Sequence, residues 1–183
     1  MSAFLLSVHV LAAILAIGPV AIAASMFPRS ARLALASPRD GRRVAEVRIL
    51  HRITRVYSVI GVLVPVFGVA TGASIGVLGD AWLIISMLLT AAAAVVLIAA
   101  ILPGQKIVVA ALADEAEPEA APEKPVDSQR HTGATVTVGT TPRADPARVA
   151  RRLAMYTGVF NVLWAVVVVL MIYRPGSTTG VGL

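Results

Sequence analysis

The sequence predicts an all-α polytopic membrane protein, an antiparallel four-transmembrane-helix bundle forming a single membrane domain over 1–183, and three observations predict it. Of its 183 residues, 57% are apolar and 14% charged, with a mean hydropathy of +0.83, well beyond the roughly 45–50% apolar content of soluble domains. Four stretches, 1–28, 56–79, 81–105 and 153–173, contain no Asp, Glu, Lys or Arg, and a helix needs about 20 such residues to cross a bilayer. The basic residues gather between the first and second stretches and just before the fourth, the asymmetry that sets orientation.

The first crossing is expected at about 3–27. Ala21-Ile22-Ala23 resembles a cleavage site, but no basic region precedes it and arginines follow at once, so the reading is a retained helix. Gly18-Pro19 removes a backbone hydrogen bond and is expected to bend it. The loop 28–55 carries Arg29, Arg32, Arg39, Arg42, Arg43, Arg48, Arg52 and Arg55 against Asp40 and Glu46, which makes it cytoplasmic. Within it Ser37-Pro38-Arg39-Asp40 reads as a helix start capped by Ser37. The helix that follows is expected to run unbroken into the second crossing, 56–78, with Arg48, Arg52 and Arg55 on one face toward anionic lipid headgroups.

The turn at Gly79 and Asp80 is short, so the second and third crossings are expected to be antiparallel neighbours, with Asp80 capping the third at 81–103. That helix can overrun through Lys106 to Leu112 before the acidic run from Asp114 ends it. The loop 113–144 is rich in Pro, Ala, Glu, Thr and Gly and is expected to be disordered. Asp145-Pro146 restarts a helix, the fourth crossing occupies 153–173, and Arg174-Pro175-Gly176 stops it. Both termini then lie outside, and loops 28–55 and 104–152 inside, the plasma membrane. Trp82 and Tyr173 are expected at the outer interface, Tyr57 and Tyr156 at the inner one.

Gly61, Pro65, Gly68, Gly72 and Gly76 recur at intervals of three or four along the second crossing. Small residues so spaced let helix backbones approach in lipid; Ala12 and Ala16 are placed to face them, and a homodimer seam is the other use. His9 is the one ionisable residue inside a crossing, roughly 10 Å from the outer end at 1.5 Å per residue, and such residues are functional candidates. Met87 and Met171 lie toward the same side, and His with Met suits copper(I) or axial ligation of haem. The bland alternative is a histidine satisfied by a carbonyl or hydroxyl beside methionines used as core filler. His51 sits at the opposite mouth and cannot share a metal with His9; His131 falls in the acidic loop. Asn161, near the middle of the fourth crossing, needs a partner, for which Thr71, Ser74, Ser86 and Thr90 are candidates unless their hydroxyls bond back to their own helices.

The chain has no cysteine, which excludes disulfides, thiolate nucleophiles and cysteine-ligated metals. The absence of a carboxylate within any crossing disfavours coupled transport, and no G-x-S-x-G or H-E-x-x-H motif is present.

Val8-His9-Val10-Leu11-Ala12-Ala13, the glycine stripe, Asp80-Ala81-Trp82-Leu83 and Leu170-Met171-Ile172-Tyr173-Arg174-Pro175-Gly176 together resemble a family of uncharacterised bacterial integral membrane proteins defined as a domain of unknown function. That resemblance implies a topology. More distantly, through His9, the first helix is similar to the copper-resistance D and HemJ-type membrane families, which implies copper handling or haem-dependent oxidation. The expected function is accordingly a non-enzymatic accessory or scaffolding subunit of a membrane complex or homodimer, whose basic face meets lipid and not nucleic acid. The alternative is a haem- or copper-binding membrane oxidoreductase centred on His9.

Overall fold

The computed structural model describes residues 2–116 and 145–176, and among them no strand occurs. The chain runs through α1 (Ser2–Ala36), α2 (Gly41–Ile60), α3 (Leu63–Ile75), α4 (Ala81–Val96), a π-helical turn (Leu97–Ile101), α5 (Leu102–Ala116) and α6 (Pro146–Tyr173). These elements compose four helices long and apolar enough to cross a membrane: Ala3–Ala36, Gly41–Ile75, Ala81–Glu115 and Pro146–Tyr173. The segment 28–55, read as a cytoplasmic loop with a helix from Ser37 onward, is helical except at 37–40: α1 continues through Pro19 and Pro28, and only 37–40 separates it from α2. Residues 113–116, placed in the disordered loop by composition, form the last turn of α5, whereas 117–144, with His131, lies outside the described residues.

Local chemistry accounts for each boundary. Asp40 N–H donates to Ser37 O at 3.0 Å, closing a turn with Pro38 at its second position, where the fixed φ of proline fits. Asp40, not Ser37, then caps α2, its carboxylate accepting from Arg42 N and Arg43 N at 3.1 and 3.4 Å. Ser37 is consumed by the turn, so the cap falls three residues later than expected.

The passage from α2 to α3 is locally interrupted at Gly61 and Val62. Pro65 has no N–H to give the Gly61 carbonyl, and its ring crowds that oxygen. Val64 N–H serves Gly61 O instead at 3.1 Å, and Val62 N–H reaches Val59 O at 3.2 Å, a locally tightened turn. A second proline, Pro103, stands just after the π-helical turn, where Leu102 N–H reaches back five residues to Leu97 O. Widening the helix there gives the proline ring room beside the carbonyl four residues upstream.

Gly76 ends α3 in the left-handed region at φ 76°, with Val77 N–H on Gly72 O at 3.1 Å and Gly76 N–H on Ala73 O at 3.3 Å, the Schellman arrangement that favours glycine. Asp145 caps α6 through Ala147 N at 3.0 Å with Pro146 in the first turn, and Arg174 closes the helix at φ 43°, as the sequence predicts. Asp80 starts α4 without a side-chain cap; its Oδ2 accepts from Trp82 Nε1 at 3.0 Å instead.

Among the described residues the interior falls into three clusters. Phe27, Ala31, Val44, Val47, Val108, Leu112, Ala150 and Leu153 join the arginine-bearing ends of α1, α2 and α6 to α5. Val20, Ala24, Ala93, Leu97, Ile101 and Phe160 form the next cluster, against which Tyr57 and Tyr156 pack. Val77, Trp82 and Leu83, with Met171 against them, form the last. α3 packs chiefly on α1 and α4 on α6, and contact between α3 and α4 is slight. The sequence reading made these two helices neighbours because their connection is short; each instead finds its main partner elsewhere.

Candidate functional site

His9, on α1, reaches across to α3. Its Nδ1 lies 2.9 Å from Val64 O, and because a carbonyl only accepts, Nδ1 carries the proton. Nε2 then keeps its lone pair in the neutral ring. The imidazole rests on Gly68: a Cβ at that position would stand 2.9 Å from His9 Cε1 and 3.2 Å from Nδ1. Met87 is 44% exposed on α4, while Met171 packs against Val77, Trp82 and Leu83. Among the described residues no group of three or more His, Asp or Glu could hold a metal ion.

The glycine stripe divides by task. Gly68 seats His9, and Gly72 faces Leu83 and Leu78, whose Cδ2 atoms would stand 2.9 and 3.2 Å from an added Cβ. At Gly61 that Cβ would meet only the carbonyl oxygens of Tyr57 and Ser58 in its own chain at 3.2 Å, and Gly76 is the helix terminator. The seam therefore receives side chains from α1 and α4 at two positions rather than one continuous backbone contact. Gly104, outside the stripe, marks another close approach, with Leu153 Cδ2 2.8 Å from its would-be Cβ.

Where α3 and α4 part, a half-open apolar cavity of about 130 Å³ lies among the helices. Ala16, Gly61, Pro65, Ala94, Phe160 and Trp164 are among its walls, which joins Ala16 to the stripe as the sequence spacing suggested. Leu97 and Ile98 of the π-helical turn also line it. Phe160 and Trp164 meet edge to face, ring centroids 6.4 Å apart at 66°. The indole Nε1 of Trp164 is buried and has no hydrogen-bond partner among the described residues.

Two polar groupings tie the helices. Toward the arginine-bearing end, His51 Nδ1 lies 3.1 Å from Gln105 Oε1, and Gln105 Nε2 donates to Thr54 Oγ1 at 3.4 Å; Gln105 and Thr54 are fully buried. Ser30 donates to Glu46 at 2.6 Å beside it, linking α1 to α2. Deeper in the bundle, Asn161 Nδ2 donates to Ser25 Oγ at 3.0 Å and Thr157 Oγ1 to Ala24 O at 3.4 Å, while Asn161 Oδ1 is buried without a partner. The hydroxyls expected to serve Asn161 bond back to their own helix: Thr71 to Phe67 O, Ser74 to Thr71 O, Ser86 to Trp82 O and Thr90 to Ser86 O. Gln105 ends a charge-free run, and the sequence carries no signal that it is a core residue; its buried position identifies it.

At the opposite end Trp82 is buried, held by Asp80 and covered by the Arg174 guanidinium 5.6 Å from its ring centroid. Tyr173 is 70% exposed. Arg48, Arg52 and Arg55 are all exposed along α2.

These features define an all-helical bundle with four potential membrane-crossing helices and an apolar cavity within it. No family model, curated protein or solved structure matches the chain, and the resemblances to the copper-resistance D and HemJ-type families rest on the quoted residues alone.

Proposed function

We propose that this protein is a multi-pass plasma-membrane protein with four antiparallel crossings, acting without catalysis as an accessory or scaffolding subunit through helix packing and a basic inner face. The observation that carries the reading is the bundle's apolar exterior: Phe4, Leu88 and Ile98 are 71%, 66% and 65% exposed, and they are spread over α1, α4 and the π-helical turn. Apolar surface so extensive is stable in lipid and aggregates in water. The arginine-bearing ends of α1, α2 and α6 share one cluster, which supports antiparallel crossings with these ends in the cytoplasm.

The absence of native cysteine provides the test. With single cysteines introduced in intact cells, an impermeant thiol reagent is expected to label Gly79→Cys at once and Ser37→Cys only after permeabilisation. The reverse pattern inverts the orientation, and protein remaining in the detergent-free supernatant after ultracentrifugation rejects the membrane reading. The subunit role predicts co-purification with a defined membrane partner in stoichiometric amount.

One geometric feature favours a second reading, a haem- or copper-binding oxidoreductase centred on His9. A histidine that gives its Nδ1–H to a carbonyl keeps Nε2 for a metal, the arrangement common among ligating histidines. This reading predicts a Soret band or stoichiometric copper in purified protein, lost in His9→Ala. Colourless, copper-free wild-type protein rejects it.

A further inference from the structure

Two side-chain contacts fix how α2 sits between its neighbours. Ser30 of α1 meets Glu46, and Gln105 of α5 meets His51. Glu46 and His51 are roughly 140° apart around α2 at 3.6 residues per turn, with the buried Val47, Leu50 and Thr54 between them, so α1 and α5 flank α2 on different sides. Beyond His51 come Arg55, Arg48 and Arg52, roughly 40°, 60° and 100° further round and all exposed. On α5, Gly104 faces Leu153 of α6, and Lys106 lies roughly 100° from Gln105 in the other direction, on the side of α2. The groove between α2 and α5 therefore has three arginines along one rim and Lys106 along the other. Its floor is half-buried His51, which donates to Gln105, as Gln105 does to Thr54 and Thr54 to Leu50 O, at 3.1, 3.4 and 3.0 Å.

Among the described residues none of these four cations has a hydrogen bond or ion pair of its own, so their charge is open to an outside anion. Depth and the chemistry below them select its source. Arg55 and Lys106 each border a charge-free run, 56–79 and 81–105, which sets both at one edge of the hydrocarbon layer. One turn further into that layer the rims become apolar, with Val59 71% exposed on α2 and Leu102 half-buried on α5. Cations above and aliphatic side chains below match a phospholipid. Arg48 and Arg55 are two turns apart, roughly 10 Å along α2, and a single phosphodiester brings only one negative charge to four cations. Basic pockets between membrane helices on the cytoplasmic side suit headgroups of higher charge. We infer that the α2–α5 groove is a discrete inner-leaflet site for cardiolipin, whose two phosphodiesters share one short linker and lie between Arg48, Arg52 and Arg55 on one rim and Lys106 on the other. This inference deepens the basic-face reading and rests on it.

Native mass spectrometry of the full chain in detergent, titrated with defined lipids, tests the site. One cardiolipin is expected to bind with about tenfold or greater preference over phosphatidylglycerol, because its second phosphate sets a further charge against the same rims. Lys106→Gln is expected to weaken that cardiolipin about fivefold, the worth of one cation at the headgroup level. Arg32→Gln removes the same charge from an exposed position on α1, on the other flank of α2, and is expected to leave cardiolipin binding unchanged. All three substituted or compared side chains are exposed, so the variants keep the packed core. Equal losses from Lys106→Gln and Arg32→Gln overturn the inference, as does cardiolipin held no better than phosphatidylglycerol at twice its concentration; both results leave the basic-face reading standing as diffuse attraction. Displacement of the bound cardiolipin by inorganic phosphate at constant ionic strength also overturns it, assigning the cations to a soluble anion. Retention of phosphatidylcholine equal to that of both anionic lipids rejects the basic-face reading itself.

Discussion

The imidazole edge of His9 lies directly on the bare backbone of Gly68, so the one ionisable side chain within an expected crossing of α1 occupies space that any larger residue of α3 would claim. A methyl group there would stand 2.9 Å from Cε1, and the ring is tethered by its bond to Val64 O. Gly68→Ala is therefore expected to destabilise the bundle by about 1–3 kcal/mol, the usual range for overpacking, read from unfolding in mixed micelles. Adding His9→Ala should recover most of that loss, because the clash has one partner. Strict additivity of the two substitutions would show that the ring and the glycine do not interact.

Gln105 bridges His51 and Thr54 from a fully buried position. Its amide meets both, so removing it leaves the His51 N–H without this acceptor. Gln105→Ala is expected to cost about 2–4 kcal/mol, combining an unmade hydrogen bond with a cavity. Gln105→Glu keeps the acceptor and the volume and is expected to retain the His51 contact, with a smaller loss in micelle unfolding than Gln105→Ala. Equal losses for both variants would mean that only the stem of Gln105 matters.

The residues that announce helix ends were legible because their chemistry is local. Asp145-Pro146 and Arg174 act within one turn of chain, and the charge-free runs declare four long helices by length alone; Gly76, read as part of the packing stripe, proves to be a helix end. Partner choice was legible only in part. A helix apolar on every side gives the same pattern whether a face meets lipid or another helix, so beyond Ala12 and Ala16, set to face the glycine stripe, nothing in the sequence showed α3 leaning on α1, or α4 on α6. Asn161 pairing with Ser25, and Gln105 entering a polar cluster, depend on that choice. The displaced cap has a different cause: Ser37 and Asp40 both suit a cap, and Pro38 decides between them by drawing Ser37 into the turn.

Asn161 is half-satisfied: Nδ2 bonds Ser25 while Oδ1 is buried without a partner. The bond is favourable by about 0.6–1.7 kcal/mol, the range for interhelical hydrogen bonds in lipid, and the unpartnered carbonyl offsets part of it. Asn161→Leu is expected to change stability by less than about 1 kcal/mol in either direction, since it removes both at similar volume. A loss of 2 kcal/mol or more in micelle unfolding would show that Oδ1 has a partner of its own, such as a bound water.

Arg48, Arg52 and Arg55 project from α2 beside the cluster that joins the basic ends of the helices. Set at the level of the headgroups, each is worth on the order of 1 kcal/mol toward an anionic lipid. Replacing all three with glutamine should then weaken phosphatidylglycerol retention by about a hundredfold at low salt, measured by native mass spectrometry or by exchange of a headgroup-labelled lipid in nanodiscs. Raising ionic strength should shrink the difference, because the charges are exposed and screened within about 10 Å at 0.1 M salt. Phosphatidylcholine retention should not change. If the triple variant held phosphatidylglycerol as well as the native chain, the arginines would be left with setting orientation alone, which the thiol-labelling pattern of the same variant would register as an inverted or mixed topology.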